Sequence, residues 1–364
     1  MSGLFKDVLR AGYRALIGAA TCTALPLRAR DGKLAVFYAG GRPGDLGGTQ
    51  VKVRLLQSRF PEHRLGFSLL YVLSNGIYVP QFVLDRVRAA GVPIVLNQNG
   101  VFYPGWYPHG WERENARMAK VQTAADYVFY QSEFCRRCAE RFLGERAGRS
   151  EILYNAVDTR HFTPGMAAAQ NRPFTFLMTG KFSAPTAYRL SSSIAGLAAA
   201  RAAGLDVLLR IAGLIEPAVE CAARVQVDAL GLSNRVTFSG PYTGTQAPEV
   251  YRSAHAYLMT KHNDPCPNAV LEAMASGLPI LYSASGGVPE QVGPEAGIGL
   301  PVPETFDRDV APEPVAIAEG MRRIIQGRDH MAVAARARAV EWFDLSHWLA
   351  RHETVLRSLV ERIE

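Results

Sequence analysis

The sequence predicts an α/β protein made of two successive doubly wound parallel sheets. Three observations predict it. The chain has 364 residues, of which 48% are hydrophobic and 20% charged, enough to bury two cores of ordinary size. Short apolar runs alternate with stretches of helical periodicity along most of its length. The alternation breaks once, at residues 163–172, a segment with Pro and Gly and no periodicity, and then restarts.

The elements follow in order. In residues 1–31, Leu4, Phe5, Val8, Leu9, Tyr13, Leu16 and Ile17 recur at spacings of three and four, and Lys6, Arg10 and Arg14 form a second stripe. This predicts a basic amphipathic helix, suited either to packing on the first domain or to lying on an anionic membrane surface. The apolar stretch 15–27 is too short to span a bilayer, and no clear small-residue cleavage site follows it, which argues against a signal peptide.

A first domain, residues 32–165, has strand-like runs at 34–39, 65–73, 93–96 and 127–130 and a short run at 152–154. Helical patterns at 49–59, 80–90, 111–123 and 133–143 separate them. The break at 163–172 reads as an interdomain linker. A second domain, residues 173–344, has strands expected at 174–179, 207–212, 236–238, 256–260, 280–283 and 298–301. Its helices are expected at 189–203, 217–230, 247–253, 268–276 and 314–326. A last helix, 345–364, suits a strap packed back on the first domain. In such sheets ligands bind at the carboxyl ends of strands, and a cleft between the two halves is the expected place.

Composition removes whole classes of function. The balance of residues excludes global disorder and collagen-like repeats, and no window supplies the apolar length of a polytopic membrane protein. The net charge of +7 favours anionic partners, although 34 arginines against six lysines are accounted for by coding bias. Nucleic-acid binding would rest on charge alone, and no recognised module supports it. Five cysteines, an odd number, suggest reduced thiols. Cys135-Arg-Arg-Cys138 lacks the second pair a zinc site needs, and the eight histidines lack the spacing of a zinc hydrolase.

Four windows carry chemistry. In 261–280, a polar loop holding Asp264 leads into a helix that Gly277 ends. The amides of Asn268, Ala269 and Val270 at its N-terminus suit a phosphate, Glu272 one turn further suits a ribose diol, and Asp264 suits the hydroxyls of a second sugar. In 176–190, Gly180 ends a strand, Lys181 follows, and Arg189 opens the next helix, two cations placed to neutralise a diphosphate. In 283–290, Gly286 and Gly287 permit close approach of backbone to a ligand, and Glu290 could hold a sugar hydroxyl. In the first domain, Gly47 and Gly48 follow the first strand and can admit a phosphate or sugar, but they form neither a dinucleotide fingerprint nor a Walker loop. The aromatic loop 101–111, with Tyr103 and Trp106, suits stacking on an acceptor sugar or contact with lipid. Asp307-Arg-Asp309 lies in a Pro-rich stretch and reads as surface.

Together these windows resemble the retaining glycosyltransferases of family 4, the group 1 glycosyltransferases of GT-B fold. Gly180-Lys181 match the family's Gly-Arg, and Arg189 matches its Lys. Asp264 and Glu272 match its E-x7-E motif, with Asp in the first place and Cys266-Pro267 where Phe-Gly is usual. Gly213 closes a matching Leu209–Gly213 segment, and Tyr154-Asn-Ala-Val-Asp158 with Phe162 and Pro164 resembles the lead into the hinge. Val236–Gly240 resembles the strand before the base pocket, which places Pro241 and Tyr242 near the nucleobase. Asn97-Gln-Asn-Gly100 occupies the strand end where the family often has a His, so Asn99 joins the acceptor side.

The resemblance implies two Rossmann-like domains facing across a cleft. It implies retaining transfer of a sugar from a nucleotide-diphospho-sugar to a hydroxyl of a glycan or lipid-linked acceptor, in cell-envelope polysaccharide or lipopolysaccharide synthesis. Lys181, Arg189 and the helix amides would stabilise the leaving diphosphate in place of a metal, and Asp264 would lie by the transferred sugar. No cofactor is implied, and the expected location is cytoplasmic, peripheral on the inner membrane face. Two alternatives share the fold: a sugar-nucleotide epimerase and a non-catalytic sugar-nucleotide binding protein.

Overall fold

The computed structural model describes residues 3–25, 32–44, 47–165 and 173–361, with side chains from residue 9 onward in the first helix. Most of the expected linker, residues 166–172, lies outside the described residues, as do the side chains of Leu4, Phe5, Lys6 and Val8. The chain divides into two compact units, Met1–Tyr154 with His347–Glu364, and Asn155–Ser346.

The first unit runs α1 (Gly3–Ala24), β1 (Val36–Phe37), α2 (Gly48–Gln57), β2 (Leu69–Val72), α3 (Gln81–Ala89), β3 (Ile94–Gln98), α4 (Trp111–Ala124), β4 (Tyr127–Tyr130), α5 (Glu133–Leu143) and β5 (Arg149–Ile152). The strands pair in parallel in the order β1-β2-β3-β4-β5. Successive carbonyls of a strand point to opposite edges, and β1 uses both. The Leu69 amide donates to Ala35 O at 3.2 Å on the β2 side, and the His63 amide donates to Val36 O at 2.8 Å on the other. Glu62 forms an isolated parallel bridge with Val36 there. After α2 the chain thus touches the far edge of β1 and then crosses to β2, a shortened strand reversal.

That reversal puts helices on both faces. Phe37, Leu70, Val72, Ile94, Leu96 and Val128 pack with residues of α3, α4 and α5. On the opposite face Lys52 of α2 reaches Asn97, and His352 of the C-terminal helix reaches Tyr71. The predicted strand at 34–39 shrinks to two residues because Ala39 takes a φ of 50° and turns the chain. The run at 65–73 pairs only from Leu69, after Gly66 turns at φ 69°.

The second unit runs β6 (Phe174–Phe182), α6 (Tyr188–Ala202), β7 (Val207–Ile215), α7 (Pro217–Ala229), β8 (Val236–Phe238), α8 (Ala247–Arg252), β9 (Ala256–Met259), α9 (Asn268–Ala275), β10 (Ile280–Ser283), α10 (Val288–Val292), β11 (Gly297–Leu300) and α11 (Pro314–Phe343). Its parallel sheet has the order β11-β10-β9-β6-β7-β8. The winding direction reverses between β6 and β9, and the crevice at their carboxyl ends is where such sheets hold ligands.

Three elements run past their expected ends here. β6 and β7 run three residues past the predicted ends, paired through Phe182 and Ile215, so Gly180 lies within the strand and does not end it. α11 has 30 residues and does not stop near 326. One Gly327 costs about 1 kcal/mol, too little to end a helix whose following turns are rich in Ala and Arg. α11 packs closely on α6: a Cβ at Gly196 would lie 2.4 Å from Ile317. The last helix, α12 (Leu345–Val360), buries Trp348, His352, Val355 and Leu356, and from His347 onward belongs to the first unit.

Candidate functional site

The reversal point of the second sheet is lined by residues that three strands bring together. Gly180 and Gly213 sit opposite each other in β6 and β7, and a Cβ at Gly213 would lie 2.0 Å from Gly180 O. Only glycine fits, and both residues take positive φ, 148° and 126°. The Gly213 amide in turn donates to Gly240 O at 2.7 Å. The carboxyl edge of three adjacent strands is therefore bare backbone.

Arg189, in the first turn of α6, folds back into this crevice. It is only 4% exposed. Its guanidinium lies 4.8 Å from the centre of the Phe182 ring, with Nη2 3.5 Å from Thr179 O on β6 and 3.9 Å from Met259 Sδ on β9. Its Nε has no hydrogen-bond partner, and among the described residues no carboxylate pairs with it. A buried cation without a counter-charge is costly, and an anion in the crevice would offset that cost. Lys181 differs: it is exposed, on the last turn of strand before the crevice.

Across the crevice, α9 begins at Asn268 after Pro267, with no side-chain cap. The amides of Asn268 and Ala269 have no acceptor among the described residues. The Val270 amide, expected to be open, donates to Pro267 O at 3.1 Å, because the first turn is tight. The two remaining amides and the helix dipole favour an anion.

Glu272 lies one turn further in. Tyr251 donates to its Oε2 at 2.7 Å. The Tyr251 oxygen lies 3.2 Å from Thr179 Oγ1, which lies 2.9 Å from the Tyr257 hydroxyl. Tyr242 is half-buried beside this group, and its hydroxyl is pushed up by burial and by Glu272. Burial pushes the Glu272 carboxyl up to about 7, against the opposing Tyr251 hydrogen bond. The Tyr251 bond engages Oε2 alone, so a diol could still be accepted at Oε1.

Asp264 is already engaged. Lys261 Nζ lies 2.8 Å from its Oδ2, and the Cys266 amide donates to Oδ1 at 3.2 Å. Gly286 and Gly287 serve this loop. A Cβ at Gly286 would lie 2.3 Å from Asp264 O, and the Gly287 amide donates to the same oxygen at 2.9 Å. The close approach these glycines make in the structure is to protein backbone. Asp309, read from sequence as surface, is another correction: its side chain is 16% exposed and lies 3.8 Å from Nδ1 of the buried His262. The segment after β11 folds over the loop, where His262 and Asn263 meet Pro303 O and Thr305 O.

In the first unit the expected acceptor residues divide. Gly47 and Gly48 are open, with nothing near a Cβ at either. Asn99 accepts from Lys52 Nζ at 2.8 Å and from Gln131, and Lys52 also reaches Asn97 Oδ1 at 2.7 Å. Trp106 is 42% exposed, but Tyr103 is buried. Cys135 is buried with its thiol on Gln98 O, and no disulfide joins any of the five cysteines among the described residues. Sequence reading missed Lys52, Thr179 and Tyr251. Tyr251 lies 21 residues before its partner Glu272, and only the fold of α8 against α9 joins them.

Comparison with known proteins bears on the same residues. Residues 171–338 match the family of glycosyl transferases group 1. A D-inositol 3-phosphate glycosyltransferase of Mycobacteroides abscessus is 30% identical over 167 residues, 44% of this chain and 37% of that protein. One from Actinosynnema mirum is 33% identical over 116 residues, 31% of this chain and 27% of that protein. The match thus spans about a third of the length of these relatives. Among solved structures, sucrose-phosphate synthase from Thermosynechococcus elongatus has a TM-score of 0.67 at 20% identity, over 86% of this chain and 78% of that one. Anabaena HepE in complex with UDP has a TM-score of 0.64 at 18% identity, over 84% and 81%. The fold is that of the GT-B glycosyltransferases, two Rossmann-like domains with parallel sheets.

Proposed function

We propose that the chain is a retaining, metal-independent glycosyltransferase of family 4 that takes a sugar from a nucleotide-diphospho-sugar. The observation that carries this reading is Arg189, a buried guanidinium without a carboxylate at the reversal point of the second sheet. As the glycosidic bond breaks, the diphosphate gains charge. Arg189, Lys181 and the Asn268 and Ala269 amides stabilise that charge more in the transition state than in the ground state. Glu272 holds the ribose. Tyr242 lies on the nucleobase side. Asp264, held by Lys261, presents the loop beside the sugar. Retention follows from the likeness of Asp264…Glu272 to the E-x7-E pattern of retaining enzymes.

The acceptor is a hydroxyl of a glycan or lipid-linked glycan of the cell envelope, bound by the first unit near Gly47, Gly48, Asn99 and Trp106. The enzyme works in the cytoplasm at the inner membrane face. The relatives' names point to phosphorylated or sugar acceptors of their own, but their matches cover less than half of this chain.

A thermal-shift screen over UDP-, GDP-, ADP- and CMP-sugars tests the reading. One of the diphosphate donors raises the melting temperature, and CMP-sugars, with a single phosphate, do not. No shift with any diphosphate donor would overturn it. A second reading is favoured by one observation: the Asp264 carboxylate is spent on Lys261 and Cys266. Incubation of labelled donor alone separates the cases, since an epimer identifies a sugar-nucleotide epimerase and bound, unchanged donor under all acceptors identifies a binding protein.

A further inference from the structure

Thr179 touches both halves of the candidate site. It is buried on β6, one residue before Gly180. Its carbonyl oxygen lies 3.5 Å from Arg189 Nη2. Its hydroxyl lies between those of Tyr251 on α8 and Tyr257 on β9, both fully buried. Three elements thus meet around one hydroxyl, and Glu272 joins α9 to them.

Each hydroxyl has a single proton, and that fixes the direction of these hydrogen bonds. Tyr251 donates its proton to Glu272 Oε2 at 2.7 Å. At the 3.2 Å contact with Thr179 the Tyr251 oxygen therefore accepts, and Thr179 donates. The Thr179 proton is then engaged, so Tyr257 donates to Thr179 at 2.9 Å. The chain runs one way, from Tyr257 through Thr179 and Tyr251 to Glu272, and each bond polarises the next.

We propose that Thr179 and Tyr251 are positioning residues that hold the Glu272 carboxylate for a ribose diol, and so make this site select ribonucleotides over 2′-deoxyribonucleotides. The inference rests on the proposed nucleotide site and adds the residues that set its selectivity. A carboxylate free to swivel follows whichever hydroxyl a sugar offers. One held at Oε2 does not, and a sugar without its 2′-hydroxyl leaves an acceptor unpaired. The two contacts of Thr179 separate in experiment: its hydroxyl acts on the ribose carboxylate, whereas its carbonyl beside Arg189 is backbone and survives substitution.

The same chain sets the pH at which the carboxylate forms. Burial pushes the Glu272 carboxyl up, and the Tyr251 bond and the charge of His161 oppose that rise. The neighbouring Tyr242, Tyr251 and Tyr257 hydroxyls are all pushed up by burial and stay neutral donors. Without the Tyr251 bond, burial is less opposed and the carboxylate forms at higher pH.

Calorimetric titration of the full chain with UDP, ADP and GDP and their 2′-deoxy forms tests the proposal, in wild type, Thr179→Val, Thr179→Ser and Tyr251→Phe. In the base series that binds, the wild-type chain prefers the ribose form at least about tenfold. Thr179→Val and Tyr251→Phe bring that ratio below about threefold, and Thr179→Ser, which keeps the hydroxyl, retains it. Tyr251→Phe also moves the rise of affinity with pH upward. A retained preference of Thr179→Val for diphosphate over monophosphate shows that its site is folded. Affinity lost equally for ribose and deoxyribose forms assigns both residues to packing and overturns the inference, with the nucleotide site intact. A wild-type ratio near one, or an unmoved pH profile in Tyr251→Phe, does the same. No binding of any nucleoside diphosphate to the wild-type chain overturns the nucleotide site itself, and this inference with it.

Discussion

A guanidinium that is buried without a carboxylate weakens a fold, and its removal should not. Replacing Arg189 by Met keeps much of the volume beside Phe182 and discards the charge. Arg189→Met is therefore expected to melt at or above the wild-type temperature and to bind nucleoside diphosphate about 10- to 100-fold more weakly. Calorimetric titration and a melting curve check both halves, and a destabilised variant with full affinity would assign Arg189 to the core. Glu272 makes a separate prediction. With its carboxyl near 7, neutral pH leaves it partly protonated and short of one acceptor. Nucleotide affinity rises as pH climbs from about 6 to 8, and Glu272→Gln removes that part of the slope. An identical slope in the variant would place the ribose elsewhere. Both residues were legible in the sequence by type and spacing. Their partners were not, because Thr179, Tyr251 and Met259 lie on other elements and meet them only through β6, α8 and β9.

At the scale of elements, the alternation of apolar runs gave the strands and most helices, and it failed where one residue's conformation or a tertiary contact decided. β1 is short because Ala39 turns. β6 and β7 are long because Gly180 and Gly213 let their backbones close. The Gly286-Gly287 turn was legible as a close approach, but what approaches is the Asp264 loop, and sequence carries no sign of that. α11 tolerates Gly327 in mid-helix, where a Cβ would meet only the mobile end of Met331 at 2.9 Å. Gly327→Ala is expected to stabilise the second unit by about 0.5–1 kcal/mol in urea unfolding. A destabilised variant would show that Met331 cannot yield.

Over the whole molecule, one buried group in each unit is expected to answer acid in the opposite sense. His352 donates from Nδ1 to Trp348 O and accepts from Tyr71 at Nε2, and burial holds it down to about 3, from an ordinary 6.5. Its folded pKa is depressed, so the first unit loses stability as pH falls below about 6.5, by at most about 1.4 kcal/mol per pH unit. Glu272 has a raised folded pKa, about 7 against 4.5, so the second unit gains stability as pH falls through the same window. Scanning calorimetry from pH 6.5 to 4.5 should show the two units' transitions moving in opposite directions, and His352→Gln should hold the first unit's transition still. Two transitions that move in parallel would mean that other groups dominate.

Binding of nucleoside diphosphates against the matching monophosphates, titrated calorimetrically into the intact chain, is the most direct trial of the second sheet's crevice as a diphosphate seat. One base series should bind, with the diphosphate at least about tenfold tighter, because Arg189 and the α9 amides read the added phosphate. Equal affinity for the two, or no binding in any series, would contradict the account.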